Sequence, residues 1–224
     1  MTLAIYDLDE TLLAGDSCTL FCEYLVEIGL ADDDFIQRDA QMMTRYEEQT
    51  LDLNDYIRFL VEPVLQLKTT DIDLLMPRFL DQYIVPNLYP EAIQMLVQHK
   101  QQGLRQVIIS ATVEFIVNTI AKQLGIDDVL AIQLHVNNQR YTGEVSGIPT
   151  FREGKVERLM NWMAEQRETL EGALFYSDSI NDLPLLEKIE FPIATNPDQP
   201  LIEIAIKRNW PVVQWTAPNV NDVQ

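Results

Sequence analysis

Apolar residues fall into two rhythms along this chain. Short unbroken runs at 3–6, 106–110, 173–178 and 191–195 each end in polar residues, and a weaker one follows at 211–213. Runs of this kind read as buried parallel strands with their polar residues at the carboxyl end. Between them lie helical patterns: 90–102 stopped by Gly103, 113–124 stopped by Gly125, and 154–168. Strand–helix–strand alternation predicts a doubly wound, Rossmann-like parallel sheet with helices on both faces, an α/β fold.

Two stretches break the alternation. From Leu12 to Pro90 there is only helical periodicity, with Leu20, Phe21, Tyr24, Leu25 and Ile28 on one face before Gly29. Further helices are predicted near 34–49, 54–67 and 71–84. An all-helical block inserted after the first strand is expected to form a small bundle of its own, a cap over residues 14–88. Residues 1–13 and 89–224 would then be the α/β core. The second break, 129–136 and 140–146 around Asn137-Asn138, reads as a β-hairpin. The tail from Ala217 is polar and is expected to fray.

The chain has 224 residues, long enough for a sizeable core. Its charge narrows the choice of partners: 16 Lys+Arg against 35 Asp+Glu give a net −19. Such a surface disfavours nucleic acid and anionic lipid. The N-terminus lacks a basic leader and no run of 18 apolar residues occurs, so a cytoplasmic protein is expected. Cys18 and Cys22, four residues apart on a predicted helix, read as packing neighbours. His99 and His135 read as packing or surface residues.

Open parallel sheets gather ligands at the carboxyl ends of their strands. There the sequence puts Asp7 and Asp9, then Ser110, then Asp178 and Asp182, with Lys155 at the start of the helix before the third of these strands. Four carboxylates in one crevice cannot all stay ionised unaided. A hard divalent cation with oxygen ligands, Mg²⁺, resolves the conflict, with Asp7, Asp9, Asp178 and Asp182 as the candidate metal residues. With Lys155 the site approaches neutrality and tolerates a phosphate dianion. Two other readings of these residues fail. A calcium loop starting at Asp7 needs Gly and Glu where Leu12 and Cys18 stand, and a Walker loop ending at Lys155 needs a hydroxyl where Val156 stands.

In order and context, Asp7-Leu8-Asp9-Glu10-Thr11, Ser110, Lys155 and Asp178-Ser179-Ile180-Asn181-Asp182 resemble the four motifs of the haloacid dehalogenase superfamily. The phosphoserine-phosphatase-like branch, which has a helical cap between its first two motifs, is the nearest in pattern. This resemblance implies a Mg²⁺-dependent phosphomonoesterase acting on a small phosphorylated metabolite through an aspartyl phosphate. Asp7 would be the nucleophile, Asp9 the acid and base, and Lys155 the neutralising charge. Asp178 would hold the metal with Asp7 and the main-chain carbonyl of Asp9, and Asp182 would brace that shell. Thr11, Ser110, Ala111, Lys155, Asn181 and Asp16 would bind phosphate or substrate. Asp16 also stands where a helix N-cap belongs.

The chain departs from that branch in three places. Ser110-Ala111-Thr112 replaces Ser-Gly-Gly, Glu10 fills a slot usually small or neutral, and no cap arginine stands at matching spacing, Arg45 and Arg58 being the candidates. Residues 12–90 carry 15 acids and 5 bases. An acidic cap favours a leaving group that bears an amine, so an amino-alcohol phosphate such as histidinol phosphate ranks above phosphoserine. The alternative classes are a phosphoserine phosphatase and a non-catalytic phosphate-binding or receiver-like module. A receiver domain is about half as long and lacks the insertion.

Overall fold

The structure, a computed structural model, describes residues 2–48 and 50–218. The polar tail beyond Pro218 and Gln49, the predicted end of a cap helix, lie outside the described residues. Seven strands form one sheet in the order β4-β3-β2-β1-β5-β6-β7. They are β1 (Leu3–Tyr6), β2 (Arg105–Val113), β3 (Asp128–Asn137), β4 (Arg140–Ser146), β5 (Leu174–Ser177), β6 (Phe191–Thr195) and β7 (Val212–Val213). All pairs are parallel except β3 with β4.

β1 is central and wholly buried, with Ala4 opposite Gln106 on one side and Leu174 on the other. Side-chain alternation sorts the core. Leu3 and Ile5 join Val107, Ile109 and Phe175 beneath α7 (Glu153–Gln166), α8 (Leu183–Leu186) and α9 (Gln199–Arg208). Ala4, Tyr6, Ile108 and Tyr176 face the other way, toward α5 (Pro90–Gln101) and α6 (Glu114–Leu124). Chain progression reverses direction at β1, so the strand ends of β1, β2 and β5 open the crevice.

Between β1 and α5 come four helices: α1 (Ser17–Glu27), α2 (Asp34–Glu47), α3 (Leu53–Val61) and α4 (Thr69–Phe79), the last followed by a π turn through Ile84. They form the helical cap. Its buried side chains run without a break into the Ala4/Tyr6 face of the sheet. Aromatic rings make the junction, Phe21 of α1 meeting Phe79 at 5.3 Å and Phe115 of α6 at 5.6 Å. Phe115 in turn stacks on Tyr141 of β4 at 5.3 Å. The hairpin grips the cap as well, Thr69 N donating to Gln139 O at 2.8 Å and Arg140 Nε to Gln66 O at 3.0 Å.

Two local expectations shift. The hairpin turn is Asn138-Gln139, both at positive φ, because Asn137 still pairs with Arg140; two such residues make the tight turn that suits strand twist. β2 does not end at Ser110 but continues to Val113, with a register break against β3 between Ile109 and Val113. Cys18 and Cys22 are buried and free, and His99 is buried with the Tyr6 hydroxyl 2.7 Å from its Nδ1, packing roles in each case. Among the described residues no helix is long and apolar enough to cross a membrane.

Candidate active site

A cavity of about 120 Å³ lies between the strand ends and the cap. Asp7, Asp178 and Asp182 line its sheet side together with Lys155. Lys155 is buried; its Nζ donates to Asp7 Oδ1 at 2.9 Å and to Asp182 Oδ2 at 2.7 Å, and Ser177 Oγ adds a third bond, to Asp182, at 2.7 Å. A tight turn aims this lysine. Gly154 N donates to Phe151 O and Lys155 N to Arg152 O. A Cβ at Gly154 would stand 2.0 Å from the carbonyl oxygen of Pro149, so only glycine allows the loop to close there. Asn181 lines the cavity and accepts from Arg152 Nε at 3.0 Å.

Asp9, two residues beyond Asp7, is held from two directions. Ser17 N, in the first turn of α1, donates to its Oδ1 at 2.7 Å, and Thr112 Oγ1 donates to its Oδ2 at 2.9 Å. Thr112 went unnoticed in the sequence except as a departure from Ser-Gly-Gly. The continuation of β2 past Ser110 is what brings it to the cavity beside Ala111.

Thr11 and Ser110, both expected at the phosphate, have partners within the protein. The Thr11 hydroxyl donates to Asp178 Oδ1 at 3.1 Å, and Ser110 Oγ accepts from Thr112 N at 3.0 Å while its carbonyl accepts from Thr150. Both residues are fully buried and neither lines the cavity.

The four residues expected at the metal fall into two pairs. Among the described residues no three His, Cys, Asp or Glu side chains are arranged to hold a metal ion. Asp9 is turned to Ser17 and Thr112, and Asp182 Oδ2 is taken by Lys155 and Ser177. That leaves the carboxylates of Asp7 and Asp178, each with one oxygen that receives no side-chain hydrogen bond from the described residues. Two carboxylates completed by main-chain, water and phosphate oxygens suit Mg²⁺, which keeps much of its hydration.

The electrostatics agree with such an ion. Burial pushes Asp7 up to about 7 against the pull of Lys155, with Asp182 and Asp9 adding repulsion. Asp178 is driven well above the usual carboxylate range by burial and then by Asp7 and Asp182. Burial alone would lower Lys155, but Asp182 and Asp7 outweigh it and hold the ammonium charged. Burial and the charge of Asp16 bring Asp9 to about 7 as well. A divalent cation reverses this excess of negative charge and restores ionised carboxylates.

The cap side is different in kind. Asp16 caps α1, accepting from Thr19 N at 2.8 Å, and also lines the cavity. Burial raises its carboxyl to about 6. Cys18, Met43, Leu51, Leu53 and Tyr56 complete this wall, and none of them was legible as a site residue. Neither candidate arginine lines the cavity: Arg45 is exposed on α2, and the exposed Arg58 lies along Gly143 of the hairpin. Among the described residues the cavity wall carries six acids, Glu10 included, and a single cation, Lys155.

Comparison with known proteins places this geometry. The family model of haloacid dehalogenase-like hydrolases matches residues 4–187. The chain is 35% identical over 218 residues to a histidinol-phosphatase of Neisseria meningitidis serogroup C (strain 8013), covering 95% of this chain and 98% of that protein. It is 27% identical over 192 residues to a phosphoserine phosphatase of Lactococcus lactis, covering 86% of this chain and 82% of that one. A crystal structure of a protein of unknown function from Bordetella pertussis Tohama I superposes with a TM-score of 0.88 at 34% identity, over 95% of this chain and 99% of that one. A substrate-bound phosphoserine phosphatase shares the fold at a TM-score of 0.69 and 19% identity, over 95% of this chain and 92% of that one. The chain belongs to the haloacid dehalogenase-like hydrolases and is a phosphatase of that family.

Proposed function

We propose that the protein hydrolyses the phosphomonoester of a small amino alcohol, histidinol phosphate or a close analogue, with Mg²⁺ and through an aspartyl phosphate on Asp7. The observation that carries the mechanism is the Asp7 carboxylate, buried at the end of β1 with Lys155 Nζ at 2.9 Å and the cavity in front of it. Asp7 attacks phosphorus as the bond to the alcohol oxygen breaks, and Asp9 gives its proton to the leaving oxygen. Water then attacks the phosphoenzyme, Asp9 takes the proton of that water, and Asp7 departs as inorganic phosphate forms. Lys155 and the α7 turn hold positive charge against the phosphoryl oxygens, where transfer needs it most. Bound between Asp7 and Asp178, Mg²⁺ would supply further charge neutralisation and orient the phosphoryl group. Asp182 and Ser177 keep Lys155 in place, and Thr11 does the same for Asp178.

Residues 14–88 act as the cap and residues 1–13 with 89–224 as the catalytic unit. The cavity lies between them, so the cap excludes bulk water and chooses the leaving group. Its wall offers acids and apolar surface but no cation, which suits an ammonium or imidazolium better than a carboxylate. The name of the Neisseria relative supports the same class. Phosphoserine is less well served, because Arg45 and Arg58 are both outside the cavity wall.

Turnover of histidinol phosphate, phosphoethanolamine, phosphoserine and glycerol phosphate, each with Mg²⁺ and with chelator, tests both parts. The amino-alcohol esters should lead and chelation should abolish the rate. A lead by phosphoserine or glycerol phosphate sinks the substrate class, and chelator-resistant turnover sinks the metal.

A further inference from the structure

A second carboxylate stands behind the cap wall, outside the catalytic steps above. Asp39 of α2 is 1% exposed and does not line the cavity. Its Oδ2 accepts from Thr19 Oγ1 at 2.7 Å and its Oδ1 from the Tyr56 hydroxyl at 3.1 Å, and the Cys22 thiol also donates to it. All three donors are neutral. Thr19 and Cys22 belong to α1 and Tyr56 to α3, so one buried acid ties three cap helices. Thr19 serves Asp16 too, through its backbone N–H at 2.8 Å.

A phenol has one proton to donate. Tyr56, which helps to form the cavity wall, spends it on Asp39, so its oxygen keeps only lone pairs for any other partner. Asp16, in the same wall, is likewise an acceptor while ionised. Acceptors with a buried anion behind them attract an N–H cation and repel a carboxylate or a second phosphate. We propose that Asp39 is a specificity-determining positioning residue: by holding the Tyr56 proton it keeps the leaving-group end of the cavity an acceptor surface, selective for phosphoesters whose alcohol bears a protonated amine. This rests on the amino-alcohol reading and names the residue that enforces it. Asp39 touches no ligand and acts through Tyr56.

Steady-state kinetics on a near-isosteric pair, 3-aminopropyl phosphate and butyl phosphate, provides the test. Asp39→Asn keeps the volume but supplies an amide that donates to Tyr56, freeing the phenol proton to face the cavity. The ratio of kcat/KM for the amino ester over butyl phosphate should fall about tenfold, through the KM of the amino ester rather than through kcat. Tyr56→Phe should lower the same ratio, and the double variant should fall no further, since both act on one bond. If Asp39→Asn does not fold, Tyr56→Phe, which keeps the ring, carries the test alone. Equal changes on both esters, or none on either, overturn the proposal and make Asp39 a structural tie. A wild-type enzyme with no preference for the amino ester overturns the amino-alcohol reading as well, and is recognised before any variant is made.

Discussion

The two walls of one cavity are built on opposite terms. On the sheet side, strand ends hold Asp7, Asp178 and Asp182 against Lys155, with Ser177 and Thr11 fixing the two outer acids. Asp7, Asp182 and Lys155 are buried and Asp178 is half-buried, and each is answered by a charge or a hydroxyl. On the cap side, helices supply Asp16 and Tyr56 among Met43, Leu51 and Leu53, with no cation among the described residues to answer the acids. The first wall suits a reaction that varies little among phosphoesters. The second suits the choice of which ester enters. Chemistry demands charges placed to fractions of an ångström, and a parallel sheet places them rigidly; selectivity demands a surface that can be altered without disturbing them.

Substitutions on each wall should therefore fail differently. The largest effect is expected from Asp7→Asn: kcat should fall by about 10⁴-fold or more while the circular dichroism melt is kept, as for loss of a nucleophile. Full turnover by that variant removes the basis of the sheet-side account. Asp9→Asn should cost about 10²- to 10⁴-fold with alkyl phosphates. The loss should be much smaller with para-nitrophenyl phosphate, whose leaving group needs no proton; an equal loss on both would deny Asp9 its role as acid.

Lys155→Met leaves Asp7 and Asp182 buried without their cation. It should destabilise the metal-free protein by about 3–5 kcal/mol in urea unfolding as well as lowering activity, and a variant as stable as wild type would show the pair to be idle. The smallest effect belongs to the cap wall. Asp16 has its carboxyl raised to about 6 by burial, above its unfolded value near 3.8. Its folded form holds the proton more tightly, so its contribution to stability is present below pH 3.8 and is lost as pH rises through 6. Asp16→Asn keeps a good N-cap, so the variant should gain on wild type in thermal melts as pH moves from 4 to 7. A constant difference across that range would mean that Asp16 is not strained by burial.

Much of the sheet wall is legible in the sequence. Acids two residues apart at the end of an apolar run, and again after a later run, place carboxylates at a crevice because strands end where their polar residues begin. Gly103 and Gly125 marked helix ends for the same local reason. The partners of Thr11 and Ser110 were not legible, because spacing shows that a hydroxyl is near, not which group it pairs with; Thr11 serves Asp178, and Ser110 receives the backbone N–H of Thr112. Thr112 itself was hidden by the prolongation of β2, a pairing with β3 that local pattern does not reveal.

By itself, then, the sequence determined the α/β sheet, the inserted helices, and the order of Asp7, Asp9, Lys155, Asp178 and Asp182 along the crevice, since each depends on local periodicity and on where an apolar run stops. Only the tertiary structure decided that the cap shares its core with the sheet, that Asp9 turns to α1 and Thr112, and that Tyr56 gives its proton to Asp39. These depend on contacts between residues far apart in the chain, and such contacts follow from how whole faces pack, which no window of sequence contains.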